Sequence, residues 1–351
     1  MCGIIGYIGK SKAAPILVDG LKRLEYRGYD SAGISTINNR NIIVEKDTGK
    51  INEIEGKINF SKLDGNIGIS HCRWGTHGKI TRENAHPHVD CTGKISIVHN
   101  GIIENFSELK EMLIKKDHKF KSLTDTEVIA HLIEENYNGD IEQAARKALQ
   151  QIEGSYALGI LCSDEPNRLI AARNESPLIL GLGKNENFIA SDVPAILKYT
   201  KKIIYLENSE IAVLTNNNVL VKNIDGKTID KKIHEIKWDS ELAEKGGFKH
   251  YMLKEIHEQP RAITETLNGR VENGNVNLSE EINLSEQELR KIKRIVIVAC
   301  GTSWHAALAG EFMLEELAKI PVEVEYASEF RYRNPIIDEG TLVIAISQSG
   351  E

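Results

Sequence analysis

Cys2 lies directly behind Met1 and ahead of an apolar run, Gly3-Ile-Ile-Gly-Tyr-Ile-Gly9. Once Met1 is removed, one residue carries both a thiol and a free α-amine. An unperturbed α-amine titrates at about 7.7–8.0, so it is partly unprotonated near neutrality. It can take the proton of a thiol that titrates near about 8.5, and the thiolate is the attacking species. The pair therefore suits nucleophilic attack on a carbonyl. A cysteine here is also an ordinary small apolar side chain, so the chemical reading depends on partners elsewhere in the chain.

Candidate partners lie downstream. Arg73, in Arg73-Trp-Gly-Thr-His-Gly78, offers a rigid fork of donors suited to a carboxylate. Asn100 and Gly101, at the end of an apolar strand pattern, can present an amide and a backbone N–H to one developing oxyanion. Asp125, at a helix start, can meet an ammonium. Each residue alone has a plainer role: a surface ion pair for Arg73, a hairpin turn for Asn100-Gly101, a helix cap for Asp125. Together with Cys2 they describe a pocket for an amino acid whose side-chain carbonyl is attacked.

Five of the 11 histidines fall between positions 71 and 99, namely His71, His77, His86, His88 and His99, with Cys72 and Cys91 among them. His86, His88 and Cys91 invite a zinc reading, but the spacing lacks the paired C-x₂₋₄-C and H-x₃₋₅-H pattern of structural sites. No metal is expected, and His86 reads equally well as a hydrogen-bonded structural residue.

The elements that must hold these residues are short strands with helices between them. Strands are expected at Ile4–Ile8, Ile34–Ile37, Ile42–Glu45, Ile67–Ser70, Ile95–His99, Tyr156–Leu161, Leu169–Ala172, Leu178–Leu182, Ile203–Leu206 and Ile211–Leu214. Pro15 with Leu17, Leu21 and Leu24 marks one helix. Thr124-x-x-Glu127 has the form of a capping box opening another over Val128–Glu135, and a third is expected over Ile141–Ile152. Many strands with few helices suggest sheets sandwiched by helices.

The strand pattern stops between about Ile236 and Lys249, where Gly246-Gly247 makes a plausible hinge. Beyond it a helix over Tyr251–Leu267, a strand over Arg294–Ala299, a helix over Trp304–Lys319 and strands over Val322–Tyr326 and Leu342–Ile346 alternate as in a parallel α/β sheet. Two of those strands run into turns, Cys300-Gly-Thr-Ser303 and Ser347-Gln-Ser-Gly350. Helix N-termini with nearby hydroxyls favour phosphate. The last turn falls at the final residues, so we expect the sequence to be part of something longer.

Composition narrows the classes. With 44 basic and 51 acidic residues and a net charge of −7, the chain has no basic patch for nucleic acid. No apolar run approaches a membrane span and no signal peptide is evident. The 5 cysteines are widely spaced, which suits reduced thiols in a cytoplasmic protein.

Six blocks carry a family resemblance: Cys2-Gly-Ile-Ile-Gly-Tyr-Ile, Leu24-Glu-Tyr-Arg-Gly-Tyr-Asp-Ser-Ala-Gly33, His71-Cys-Arg-Trp-Gly-Thr-His-Gly78, His86-Pro-His88, His99-Asn-Gly-Ile-Ile-Glu-Asn105 and Thr124-Asp-Thr-Glu127. In order and spacing they resemble the glutamine-hydrolysing domain of the glutamine–fructose-6-phosphate aminotransferases, also called glucosamine-6-phosphate synthases. The turns around Thr302, Ser303, Ser347, Gln348 and Ser349 resemble the sugar-isomerase (SIS) domain of the same family. The resemblance implies an α+β N-terminal-nucleophile fold, an α-β-β-α sandwich, over residues 2–235. It implies a linker at 236–250 and the beginning of an α/β SIS domain over 251–351.

The same resemblance implies a catalytic Cys2 attacking L-glutamine, with Asn100 and the Gly101 N–H as oxyanion donors. Arg73 would bind the glutamine carboxylate and Asp125 its ammonium, with Thr76, His77 and His86 shaping the pocket and Trp74 gating ammonia. The SIS residues would bind the phosphate of D-fructose 6-phosphate. The implied product is glucosamine 6-phosphate for hexosamine biosynthesis, made without a cofactor by an enzyme that is a homodimer when full length. Over these 351 residues we expect glutaminase chemistry alone. The alternatives are another Cys2-type amidotransferase and a non-catalytic sugar-phosphate-binding regulator.

Overall fold

In the computed structural model, the apolar run behind Cys2 becomes β1 (Gly3–Ile8), every residue of it buried. The structure describes residues 2–74, 79–236, 248–267, 270–272, 275–276, 278, 282 and 284–347. Side chains alternate along β1: Ile5 and Tyr7 enter one core, and Ile4 and Ile8 another. A strand buried on both faces needs a covering layer on each side.

The remaining strands of the first unit (residues 1–246) are, in chain order, β2 (Ser31–Asn38), β3 (Asn41–Thr48), β4 (Ile67–Arg73), β5 (His88–Val89), β6 (Ile95–Ile103), β7 (Gly154–Cys162), β8 (Leu169–Asn174), β9 (Ile179–Leu182), β10 (Asn187–Ala190), β11 (Lys202–Tyr205), β12 (Glu210–Leu214), β13 (Val219–Asn223), β14 (Thr228–Ile229) and β15 (His234–Glu235). They form two antiparallel sheets, ordered β15-β11-β9-β10-β1-β4-β2-β3 and β14-β13-β12-β8-β7-β6-β5.

Between the sheets lies a core containing Ile4, Ile69, Val98, Ala157, Leu161 and Ile189. Glycines let the sheets approach there: a Cβ on Gly6 would lie 2.6 Å from Ile189 Cγ1, and one on Gly159 2.8 Å from Ile189 Cδ1. On the outer face of the first sheet pack α1 (Ala13–Leu24) and α2 (Ile51–Ile58), through Leu17, Leu21, Leu24, Ile51 and Ile54. On the outer face of the second pack α3 (Phe106–Ile114), α4 (Glu127–Asn136) and α5 (Ile141–Leu149). At roughly 1.5–3 kcal/mol for each fully buried Leu or Ile, these faces rather than helix propensity hold the outer layers. The layer order is α-β-β-α.

Three local expectations need correction. β4 runs on past Ser70 through His71, Cys72 and Arg73, so Arg73 is buried at a strand end rather than in a surface ion pair. β6 likewise continues past His99, and Asn100 and Gly101 pair with Ala157 and Tyr156 inside the ladder instead of forming a hairpin turn. The Thr124-x-x-Glu127 capping box does not form. The Thr124 hydroxyl meets Ser122 and His88, while the Glu127 carboxylate accepts from the Lys121 and Ser122 N–H groups and caps the preceding loop. α5 is capped by Asp140, whose carboxylate accepts from Glu142 and Gln143 N–H.

The chain divides into two compact units, residues 1–246 and 247–351. Ile236, the first residue of the expected linker, is buried in the first unit's core, and its N–H donates to Lys201 O at 2.8 Å. The expected Gly246-Gly247 hinge lies outside the described residues. In the second unit a three-stranded parallel sheet pairs Arg294–Ala299 with Val322–Tyr326 on one side and Thr341–Ile346 on the other. The helix Gly301–Ala318 follows the central strand, and the helix Tyr251–Leu267 spans the expected residues. Among the described residues no helix is long and apolar enough to cross a membrane.

Candidate active site

β1, β4 and β6 carry the candidate residues, and their registers explain why these meet. Gly3 pairs with Cys72 across β1 and β4, which puts Cys2 beside the residues that leave β4. Trp74 N–H donates to Cys2 Sγ at 3.1 Å, and Sγ lies 3.5 Å from Trp74 O. The contact is close because there is no room for side chains around it: a Cβ on Gly3 would lie 2.7 Å from Cys72 Sγ, and one on Gly28 2.7 Å from the Arg73 carbonyl carbon.

Burial pushes the Cys2 thiol up, while the Trp74 N–H and the Arg73 charge pull the other way. A thiol kept protonated by burial needs a base at the moment of attack.

Asn100 reaches the same point from β6. Its Nδ2 donates to Cys2 O at 3.1 Å and to Ser191 Oγ at 3.0 Å, and Ser191 Oγ also accepts Ile4 N–H at 2.9 Å. Its Oδ1 faces His71 Nε2 at 2.8 Å. An amide oxygen only accepts, so His71 carries its proton on Nε2, and the amide is thereby aimed with its donor end toward Cys2. Gly101 follows with φ of 131°, and a Cβ there would stand 2.1 Å from Ser155 O, so only glycine fits. Buried Arg27 adds a donor, Nε to Cys2 O at 3.2 Å, and its Nη1 pairs with Asp192 Oδ2 at 3.2 Å.

Behind Asn100 the histidines form a packed group. His86 stacks on His71 with ring centroids 4.1 Å apart, and its edge meets His88. His86 Nδ1 accepts His99 N–H at 3.3 Å, leaving Nε2–H to face Thr126 Oγ1 at 3.5 Å. The Thr126 hydroxyl donates to His99 Nδ1 at 2.8 Å, and His99 Nε2–H points to Ser155 O at 3.3 Å. Every proton in this chain has one place, and no ring needs a second. Burial lowers the pKa of His71 to about 3, that of His99 below its usual value, and those of His86 and His88 well below it.

An unfolded chain would protonate these rings from the ordinary value of 6.5 downward, while the folded one does not. The His71 contribution is therefore complete above that value and lost as pH falls toward about 3, at up to roughly 1.4 kcal/mol per pH unit, and the other three rings, also held below their ordinary value, act in the same direction. We expect the urea midpoint of the first unit to fall steeply between pH 6.5 and pH 5. A midpoint constant from pH 7.5 to 5 would contradict the neutral cluster.

The other candidates are placed as follows. Arg73, buried, ends β4 next to the Cys2 contact. Asp125 is buried two residues before α4, and its Oδ2 accepts Ile103 N–H at 2.9 Å, which tethers it to the strand that carries Asn100. Trp74 is exposed and meets Tyr29 edge-on. Thr76 and His77 lie outside the described residues. His86 is brought to Asn100 through His71, as part of the buried group.

Thr302 and Ser303 occupy the first turn of the helix Gly301–Ala318, and Ser347 follows the neighbouring strand. The pairing Ala299–Ile346 sets Cys300 and Ser347 next to each other in register, at the carboxyl ends of parallel strands. Gln348 and Ser349 lie outside the described residues. Sequence reasoning missed Arg27, His71 and Ser191 as supports. The first two sit inside conspicuous blocks, whereas Ser191 follows a four-residue strand with no pattern to flag it.

The chain is similar to known proteins along its whole length. Residues 76–198 match the family model of a glutamine amidotransferase domain, and residues 288–351 that of the SIS domain. The whole chain is 54% identical over 351 residues to a glutamine–fructose-6-phosphate aminotransferase (isomerizing) of Caldanaerobacter subterraneus subsp. tengcongensis, covering 58% of that protein. It is 54% identical over 355 residues to the one of Thermococcus kodakarensis and 51% over 351 residues to that of Aquifex aeolicus, each covered to 58%. The chain thus spans somewhat over half the length of these relatives. Its fold matches glutamine phosphoribosylpyrophosphate amidotransferase from B. subtilis with a TM-score of 0.57 at 21% identity, over 92% of this chain and 65% of that one. That likeness fixes the fold as the class-II amidotransferase type.

Proposed function

We propose, from the premise that this chain is a homologue along its whole length of the glutamine–fructose-6-phosphate aminotransferases, that Cys2 hydrolyses L-glutamine and that the complete protein passes the ammonia to D-fructose 6-phosphate. One observation carries the first half. The only residue that can hold both thiol and α-amine has its Sγ 3.1 Å from the Trp74 N–H, with the Asn100 amide 3.1 Å from its own carbonyl.

With Met1 removed, Sγ attacks the side-chain amide carbon of glutamine and the thiol proton passes to the Cys2 α-amine. The carbonyl oxygen becomes an oxyanion held by Asn100 Nδ2 and the Gly101 N–H. Collapse breaks the C–N bond, the amine returns its proton to the leaving nitrogen, and ammonia departs from a thioester. Water then attacks the thioester, with the amine again as base, and glutamate leaves with Cys2 restored. Arg73 and Asp125 bind the glutamine carboxylate and ammonium with Thr76, His77 and His86 nearby, and Trp74 gates the departing ammonia.

The sugar half of the reading rests on the first turn of the helix Gly301–Ala318 and on Ser347 at the end of the neighbouring strand. Thr302, Ser303, Ser347, Gln348 and Ser349 hold the phosphate of fructose 6-phosphate, in a protein that dimerises when full length. For these 351 residues the expected activity is glutaminase alone.

The test is to incubate the chain with a glutamine-mimicking diazoketone and map the adduct by peptide mass. Modification at Cys2, blocked by excess glutamine, is the expected result. An unmodified Cys2 under saturating reagent would refute the reading. The same peptide reports whether Met1 is gone.

A further inference from the structure

Away from Cys2, a second cysteine sits in a cluster that the glutamine chemistry does not use. Cys91 follows β5 in the turn before β6, His118 lies in the loop after α3, and His131 and Glu134 are one turn apart on α4. Their ligand atoms converge. Cys91 Sγ is 3.6 Å from His118 Nδ1 and 3.5 Å from His131 Nδ1. The two Nδ1 atoms are 3.3 Å apart, and Glu134 Oε2 is 3.1 Å from one and 3.2 Å from the other. All four atoms lie within 4.8 Å of one another.

A tetrahedron of ligands at zinc's usual bond lengths, about 2.0–2.3 Å, has edges of about 3.3–3.7 Å. Five of the six edges fall on or just below that range, and the sixth, between Cys91 Sγ and Glu134 Oε2, is within 4.8 Å. Hydrogen bonding explains the convergence poorly, because two ring nitrogens facing each other, a sulfur and a carboxylate oxygen offer more lone pairs than protons. The surroundings also suit anionic ligand atoms. Cys91 N–H donates to Glu134 Oε2 at 3.1 Å, and Lys119 N–H donates to Cys91 Sγ at 3.3 Å. On their far sides, His131 Nε2 faces Glu127 Oε1 at 3.7 Å and His118 Nε2 faces Glu135 Oε1 at 3.9 Å. Carboxylates behind ligating histidines are the usual outer layer of a zinc site.

We propose that Cys91, His118, His131 and Glu134 bind one Zn²⁺ in a closed structural site. Binding releases the thiol proton to solvent, and the resulting thiolate and the carboxylate together balance the dication beside two neutral imidazoles. Four protein ligands leave no open position, so the metal holds structure instead of activating water. It ties the β5–β6 turn and the loop after α3 to α4. That loop leads through Asp125 to the helix, so the metal would fix the segment that carries this residue. Cys91 is exposed, which gives the ion a way in.

The chain expressed in zinc-supplemented medium and passed through gel filtration is expected to hold about one zinc per chain by mass spectrometry of the metal. Cys91→Ser and His118→Ala should each lower retention by roughly tenfold or more. Cobalt(II) loaded into the unsubstituted chain should give tetrahedral ligand-field bands with a thiolate charge-transfer band, a readout independent of whether either variant folds. Zinc below about a tenth of an equivalent, or a cobalt spectrum that is octahedral and lacks the thiolate band, overturns the site. So does retention unchanged in folded Cys91→Ser and His118→Ala.

Discussion

Cys2→Ala is expected to lower glutaminase turnover by roughly 10⁴-fold or more, the scale seen when a covalent nucleophile is deleted. Nothing among the described neighbours can replace it. Cys72 is buried with its thiol pushed up to about 12, and it directs Sγ to Leu24 O. Alanine fills the half-buried position without a clash, and the Trp74 N–H it orphans sits at an exposed residue where water can replace sulfur. Thermal stability should therefore change little, and glutamine should still bind, measurable by calorimetry.

Cys2→Ser should be nearly as inactive, because its hydroxyl is far less acidic than a thiol that burial already holds protonated. A preparation in which Met1 is verified in place should show a comparable loss, since its free amine then belongs to the wrong residue. Glutamate release undiminished in Cys2→Ala would remove the nucleophile from the proposal. Undiminished release with Met1 retained would remove the amine as base.

Much of this site is legible in the sequence because its residues sit in strands with strong apolar patterns. Ile4–Ile8 is readable at once, since a strand buried on both faces is apolar throughout. The ends of β4 and β6 are not readable. His71-Cys-Arg73 and Asn100-Gly101 look polar or turn-like, yet the ladders continue through them, with His71 Nε2 bonded to Asn100 Oδ1 and Cys72 Sγ directed to Leu24 O inside the protein.

The strand β10 escapes a sequence reading for a related reason. It has four residues, and its polar Asn187 is buried with Nδ2 donating to Thr215 O at 2.6 Å. α2 and α3 escape it too, although Ile51, Ile54 and Ile58 and then Phe106, Leu109 and Leu113 recur at helical spacing, because both lie between strands in a strand-rich region. The Cys91 cluster is a harder case. A search for paired ligands along the sequence rejects zinc, and only the packing of α4 against the loop after α3 brings His118 to His131 and Glu134. His86 and His88, nearer in sequence, belong instead to the neutral group behind Asn100.

Asn100 is where that buried group bears on rate. Its Nδ2 donates to Cys2 O and Ser191 Oγ in the resting site, and either hydrogen can turn to an oxyanion forming beside Sγ. Removing one oxyanion donor typically costs roughly 10²–10³ in turnover, and Asn100→Ala should lose about that much in kcat with a small change in KM. Alanine would also strip the acceptor from buried His71 Nε2–H, a loss of about 1–3 kcal/mol of stability. The more informative variant is Asn100→Asp. It keeps an oxygen for His71 and nearly the same volume, but places a second oxygen against Cys2 O and Ser191 Oγ where a donor stood. If the amide acts as oxyanion donor, Asn100→Asp should be at least as slow as alanine while folding better, because its charge opposes the oxyanion directly. If Asn100 served only to brace His71, Asn100→Asp should recover most of the rate that alanine loses.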